Sequence, residues 1–371
     1  MSYFFIALIC SFFTTLWLVH YHHVHAHISH DHELDGPQKF HETPVPRIGG
    51  IGIAVGLLGF FGLALFKEHH RMDDISFLLL ASSLAFGAGI AEDVTKRVSP
   101  LIRLIFTALA AIASGLLLAG ATINRLDIIG LDYLIGFTTI SFLFTAFSVA
   151  GIANSINIID GFNGLSSVVV CTMLASLVYV AFMVNDTFVL SFSLALLGAI
   201  IGFFVWNYPS GHIFLGDGGA YLIGFLVADL AVVLVGRHLS VSPWYPVLLF
   251  MYPLIETLFS IYRRRLKRKP ASVPDGVHLH SLIYRRMIRW VLGYQHISIE
   301  RRNAMTSPYL WLLSSMAVIP ATLFFKTTWI LMLFCVLFII SYIWIYRRLV
   351  RFKAPSWLDW LHLGHHKTPE P

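Results

Sequence analysis

Residues 188–206 read FVLSFSLALLGAIIGFFVW, nineteen positions without a single charge. A helix rises 1.5 Å per residue, so a run of about 20 apolar residues matches the roughly 30 Å of hydrocarbon in a bilayer. Ten further runs meet or approach that length. The eleven expected spans are roughly 3–20, 48–66, 76–91, 103–120, 134–151, 166–184, 188–206, 220–236, 243–262, 308–325 and 328–347. Composition agrees: 57% of the 371 residues are hydrophobic, the mean hydropathy is +0.74, and the 12% charged residues are about half the share of an ordinary soluble domain. The expected fold is all-α, a polytopic membrane protein of about eleven transmembrane helices. Residues 1–371 form a single membrane domain, with a large loop at 263–307 and a tail at 348–371. The first run lacks a basic leader and a small-residue cleavage site, so we read it as a retained helix. Cys10, Cys171 and Cys335 all fall in apolar runs and match no metal-ligand spacing.

The basic residues orient the chain. The loops after the odd-numbered spans, with the C-terminal tail, carry 21 of the 26 Lys and Arg, and the loops after the even-numbered spans carry 5. Positive residues stay cytoplasmic, which places the N-terminus in the periplasm and the 263–307 loop and the tail in the cytoplasm. The net charge of +6 then follows from topology and from anionic headgroups and substrates, and no nucleic-acid partner is needed. The run Arg263–Lys269 is a positive-inside anchor. Arg285, Arg286 and Arg289, at near-helical spacing, predict an amphipathic helix on the membrane surface.

Five polar clusters interrupt the apolar pattern: Pro44–Gly50 with Arg47, Glu92–Arg97, Asn154–Gly164, Phe214–Gly219 and Pro274–His280. All lie after odd-numbered spans, so all are expected on the cytoplasmic face, as one site. Their chemistry suits phosphate bound with a hard divalent metal. Glu92, Asp93, Asp160 and Asp217 supply carboxylates, and Asn154, Asn157 and Asn163 supply amide groups. Arg47, Lys96 and Arg103 supply cations. Glu92 reads equally as an interfacial acid, and Arg103 as a snorkelling cation. Asp160 is a stronger candidate, because acids at membrane depth are costly and usually functional.

The motif N-x-x-N-x-x-D-G-x-N-G-L at Asn154–Leu165 resembles the signature of the polyprenyl-phosphate N-acetylhexosamine-1-phosphate transferases. Phe214–Gly219 resembles that family's F-[LM]-G-D-x-G, Asp275–His280 its D-x-x-H-x-H, and Val45–Gly50 its P-x-P-R-x-G-G. The likeness covers about residues 44–285 in order. Three positions depart from it: Glu92 stands before Asp93 where Asp-Asp is usual, Ser281 replaces a further His, and Ala220 replaces a frequent Ser. The resemblance implies transfer of a sugar-1-phosphate from a UDP-N-acetylhexosamine, UDP-GlcNAc by default, to undecaprenyl phosphate in a bacterial inner membrane, with UMP released. By the same resemblance, Asp217 and Asn157 would ligate Mg²⁺ (Mn²⁺ as the alternative), and Asp160 and Asn163 would face the nucleotide or the metal's water shell. Glu92 and Asp93 would handle the acceptor phosphate. Arg47, Lys96, Arg103 and Asn154 would bind substrate, and His278 and His280 the diphosphate or sugar. A homodimer stays open.

Two rival classes share some of these features. A divalent-metal transporter would use the histidine-rich segment 20–41, where seven histidines fall within thirteen residues. It would also need ionisable residues at mid-span, for which Asp229 and Glu256 are the main candidates. A CDP-alcohol phosphotransferase would need Ala-Arg within the motif that begins at Asp160-Gly161, and this chain lacks it.

Overall fold

The computed structural model describes residues 1–24, 45–67, 72–266, 278–288 and 298–351. The histidine tract beyond His23, most of the 263–307 loop and the tail after Arg351 lie outside the described residues. Among the described residues, fourteen α-helices occur in the order α1 Ser2–His20, α2 Gly50–Lys67, α3 Met72–Thr95, α4 Pro100–Leu117, α5 Leu131–Ile135, α6 Thr138–Ile159 and α7 Leu165–Met183. Then come α8 Thr187–Asn207, α9 Gly216–Arg237, α10 Trp244–Leu249, α11 Met251–Leu266, α12 Leu279–Leu282, α13 Ile299–Leu323 and α14 Thr328–Val350. No strand occurs among the described residues.

Nine of these helices, among the described residues, are long and apolar enough to cross a membrane: α1–α4, α6–α9 and α14. The expected span 243–262 is instead two helices, α10 and α11, broken at Phe250. Pro253 has no N–H to give the Leu249 carbonyl, which weakens the helix at this point. The expected span 308–325 lies inside α13, which begins earlier, at the Ser298 cap, and carries Pro308 and Pro320. Arg285 and Arg286 fall in a short π-helical turn, Ile283–Ile288, directly after α12. In place of the expected amphipathic surface helix, Arg286 donates to the carbonyls of Leu349 and Val350 and so closes the C-terminal end of α14. Arg289 lies outside the described residues.

Local chemistry sets the helix starts. Ser99 caps α4 through the Ile102 N–H with Pro100 as the first helical residue, and Asp186 caps α8 through the Val189 N–H at 3.0 Å. Outward faces stay apolar: Phe5, Ile9, Phe13 and Trp17 form an exposed stripe at four-residue spacing on α1. A stripe of that kind fits lipid tails.

The bundle is built around α9, which is buried along its whole apolar length. Helices α3 and α6 pack most extensively on it, and α2, α4, α7 and α8 complete the socket. A helix apolar on every side belongs in the interior. Everything that converges on its first turn is therefore held by a rigid surround.

Candidate active site

The first turn of α9 is Gly216-Asp217-Gly218-Gly219. Helix N-termini leave backbone N–H groups unpaired. Here Asp93, from the last turns of α3, fills that need. Its Oδ1 accepts from the Asp217 N–H and its Oδ2 from the Gly218 N–H, both at 2.8 Å. Asp93 is fully buried, and both oxygens are spent on the backbone. This carboxylate fixes the direction in which Asp217 leaves the helix.

A second clamp comes from the segment before α2. The Phe214 N–H donates to the Pro46 carbonyl at 2.8 Å, and the Gly49 and Gly50 N–H groups donate to Phe214 and Leu215 at 3.0 Å. The glycines keep side chains out of this junction. A Cβ on Gly216 (φ +75°) would strike the Arg47 carbonyl and the Asp93 carboxylate, and one on Gly50 would strike Gly219.

These clamps aim Asp217 into a polar knot. Arg103 of α4 donates to Asp217 Oδ2, Asn157 Nδ2 of α6 donates to Oδ1 at 2.6 Å, and Arg47 Nη2 stands 3.9 Å from Oδ1. The Arg103 guanidinium also lies over the Tyr221 ring, 5.5 Å from its centroid. The Tyr221 hydroxyl in turn donates to Asn154 Oδ1 at 3.0 Å. Asn154 and Asn157, three residues apart, thus share the inner face of α6.

Asp160 ends α6, and Ser166 donates to its Oδ1. Burial pushes its carboxyl up to about 6, Ser166 and Arg47 pull it back, and the nearby Asp217 adds to the rise. The turn that follows hangs from two helices. The Asn163 N–H donates to Asn303 of α13 at 2.8 Å, and Ser307 donates to the Asn163 carbonyl at 2.6 Å. The Asn163 amide donates to the Pro209 carbonyl at 3.1 Å, and the Gly164 N–H donates to Asn207 at 2.7 Å. Asn163 is a turn anchor here, 5% exposed.

The histidine pair joins through the same turn. The Phe162 ring meets His280 edge-on at 5.4 Å, and His278 stacks on His280 at 5.0 Å. Glu92 does something local: its Oε2 accepts from the Val98 N–H at 2.7 Å and folds the α3–α4 connection back on itself. Lys96 sits in that connection, exposed and with φ +56°.

The structure therefore brings Arg47, Asp93, Arg103, Asn154, Asn157, Asp160 and Asp217 to one end of the bundle, with His278 and His280 beside them. Sequence reasoning missed Tyr221, Asn207, Asn303 and Ser307, which are ordinary polar residues in apolar helices and carry no motif. It noted Glu256 only as a mid-span acid.

A metal can be tested against this donor set. Among the described residues no group of three or more His, Cys, Asp or Glu converges, so an all-protein cage is not what is built. Mg²⁺ takes one or two carboxylates, keeps waters and shares substrate phosphates. Asp217, with Asp160 in electrostatic reach, fits that mode.

The fold and this knot of acids, amides and guanidinium groups define a polytopic membrane protein with a polar site at one end of its bundle. Comparison with known proteins identifies which. Residues 75–235 match the family model "Glycosyl transferase family 4". The chain is 30% identical over 259 residues to the undecaprenyl-phosphate alpha-N-acetylglucosaminyl 1-phosphate transferase of Thermotoga maritima, covering 69% of this chain and 75% of that one. It is 28% identical over 253 residues to a probable undecaprenyl-phosphate N-acetylglucosaminyl 1-phosphate transferase of Bacillus subtilis, 66% of each chain. It is also 26% identical over 304 residues to a decaprenyl-phosphate N-acetylglucosaminephosphotransferase of Mycobacterium tuberculosis, 73% of this chain and 70% of that one. The chain belongs to glycosyl transferase family 4, the polyprenyl-phosphate sugar-1-phosphate transferases.

Proposed function

We propose that the protein transfers GlcNAc-1-phosphate, or another N-acetylhexosamine-1-phosphate, from a UDP-sugar to undecaprenyl phosphate at the cytoplasmic face of a bacterial inner membrane. An oxygen of the acceptor phosphate attacks the sugar-bearing phosphorus of the donor. The bond from that phosphorus to the bridging oxygen breaks, and UMP leaves with the bond's electrons. The product, undecaprenyl-diphospho-sugar, begins a cell-envelope glycan such as O-antigen.

The observation that carries this reading is Asp217 at the start of α9, flanked by Arg103 and Arg47 and aimed by Asp93. Phosphoryl transfer asks for positioning and charge neutralisation more than for protein covalency. Arg47 and Arg103 would hold donor phosphate oxygens. Asp217, with Asn157, would hold Mg²⁺, which neutralises charge on the diphosphate when bound. Asp160 would accept a hydrogen bond from the nucleotide or from metal-bound water. The named activities of the relatives, on undecaprenyl or decaprenyl phosphate and N-acetylglucosamine, support the acceptor and the sugar. The cytoplasmic placement, with a periplasmic N-terminus, rests on the 21-to-5 split of basic residues counted over the eleven expected spans.

The transporter reading finds Glu256 tied to His278, Leu279 and Tyr342, which leaves Asp229, held by Ser114 through Oδ2 at 2.6 Å and with its buried Oδ1 unpaired among the described residues. One acid makes no path across a bilayer. Membranes containing the protein, supplied with UDP-GlcNAc and Mg²⁺, should release UMP only when undecaprenyl phosphate is added. Release that ignores the lipid acceptor, or none with any UDP-N-acetylhexosamine, rejects the proposal.

A further inference from the structure

Glu256 stands on α11, 1% exposed, within the apolar run 243–262. A carboxylate in such a place is costly unless its oxygens are fully engaged. They are, and by partners from separate elements. Oε1 accepts from the Leu279 N–H at 2.9 Å and meets His278 Nδ1 at 3.0 Å. Oε2 accepts from the Tyr342 hydroxyl of α14 at 2.8 Å.

An ionised carboxylate only accepts hydrogen bonds. The His278 Nδ1 therefore carries a hydrogen, and Nε2 is the nitrogen left for other work. The ring plane is fixed as well. His280 stacks on His278 with 13° between the rings, and Phe162 holds His280 from the edge. A Cβ on Gly161 would lie 3.4 Å from His280 Nε2, so the pair sits directly over the turn that follows Asp160.

We infer that Glu256 is a positioning residue for sugar-1-phosphate transfer: through His278 Nδ1 it fixes the tautomer and ring orientation that present Nε2 to the donor diphosphate. This rests on the function proposed above. A carboxylate that only stapled the loop would need the Leu279 contact alone. Glu256 instead adds His278 and a third donor, Tyr342, that locks its own second oxygen.

The test is a double-substitution cycle in purified full-length protein, with UDP-GlcNAc and undecaprenyl phosphate as substrates and a thermal melt as the folding control. Glu256→Gln keeps an acceptor for Nδ1–H and should stay within about tenfold of the parent. Glu256→Ala should lose about a hundredfold in kcat with donor KM little changed, as misplaced reacting groups do. The double variant Glu256→Ala/His278→Ala should be no slower than His278→Ala alone, because residues acting as one unit are non-additive. Losses that multiply overturn the inference, as does a Glu256→Ala variant as fast as Glu256→Gln. If Glu256→Ala fails to melt cooperatively, the cycle is run with Tyr342→Phe, where a smaller loss must again vanish in the His278→Ala background.

A second readout does not depend on turnover. Acylation of His278 by diethyl pyrocarbonate, mapped by mass spectrometry, should be the same in parent and Glu256→Gln and clearly faster in Glu256→Ala. A parent that shows this response without transferring sugar phosphate rejects the proposed function and keeps Glu256 as the residue that sets His278. A transferring parent whose His278 labelling ignores Glu256→Ala rejects the positioning inference alone.

Discussion

The two ends of α9 both carry charge, and they are built differently. At its start Asp217 is met by Arg103, Arg47 and Asn157, with the Arg103 and Asp217 side chains only 10% and 13% exposed. At its last turn Arg237 reaches Asp74 at 2.9 Å, with side chains 21% and 33% exposed. Both ends satisfy the helix dipole, which favours an acid at the N-terminus and a cation at the C-terminus. The sign of the charge therefore does not separate a working site from a structural tie. The density of charge does: at the first end one acid meets two guanidinium groups with a second buried acid behind it, while at the other Arg237 has a single acid, the Ala119 carbonyl at 2.9 Å and the Phe188 ring.

The hardest blow to this contrast would be an indifferent Asp217. Asp217→Asn should cut transfer by about a thousandfold or more, the scale seen when a preorganised charge is removed from a dry site, with the melt and membrane insertion unchanged. Asp74→Asn, at the opposite end, should leave the rate alone and change stability by under about 1 kcal/mol. Equal effects at both ends would dissolve the distinction.

Next in size is Asp93. Asp93→Ala orphans two buried N–H groups, at about 1–3 kcal/mol each, and should lower both the melting temperature and the rate. Asp93→Asn retains one acceptor oxygen and should fall between. A rate that drops with no change in melting would give Asp93 a direct role with substrate in place of aiming Asp217.

Asp160 sharpens the contrast through pH. Its carboxyl is pushed up to about 6 from 3.8, chiefly by burial. An acid raised on folding contributes stability that is fully present below 3.8 and is lost as pH rises through about 6. Activity runs the other way, since the ionised form is the acceptor. The kcat/KM profile should fall on the acid side of about 6, and Asp160→Asn should flatten that limb while lowering the plateau. A limb that survives in Asp160→Asn belongs to another group.

Glu92 comes last. Glu92→Gln keeps an oxygen for the Val98 N–H and should stay within about threefold. Glu92→Asp, too short for that bond, should be slower, by about tenfold if the shift reaches Arg103. Identical rates in the two variants would detach the α3–α4 connection from catalysis.

Much of this was legible before any coordinates. Nine of the eleven apolar runs became long apolar helices, because apolar length alone decides that outcome. The break at Phe250 was less visible, since Pro246 and Pro253 sit in a run otherwise apolar enough to span. The acids and cations of the site were found by type and by their shared side. What each one touches was not. Asp93 meets backbone N–H groups 124 and 125 positions away, a pairing no local pattern announces. Asn163, expected to face the nucleotide or the metal's water shell, also holds a turn together, and Glu256, expected only as a mid-span acid, is bonded to a histidine. Residue type shows where polar chemistry gathers, while hydrogen-bond partners across the bundle assign the work.

The central position of α9 has a consequence for how the chain is made. Its socket is formed by α2, α3, α4, α6, α7 and α8, all synthesised before it. When α9 leaves the ribosome, the segments that pack most on it have already been made, and so have Arg47, Asp93, Arg103, Asn157 and Asp160. Asp217 is thus the last member of its cluster to be translated, and its arrival completes the polar knot at the start of α9. The histidine pair is added only afterwards, as a lid on a finished floor.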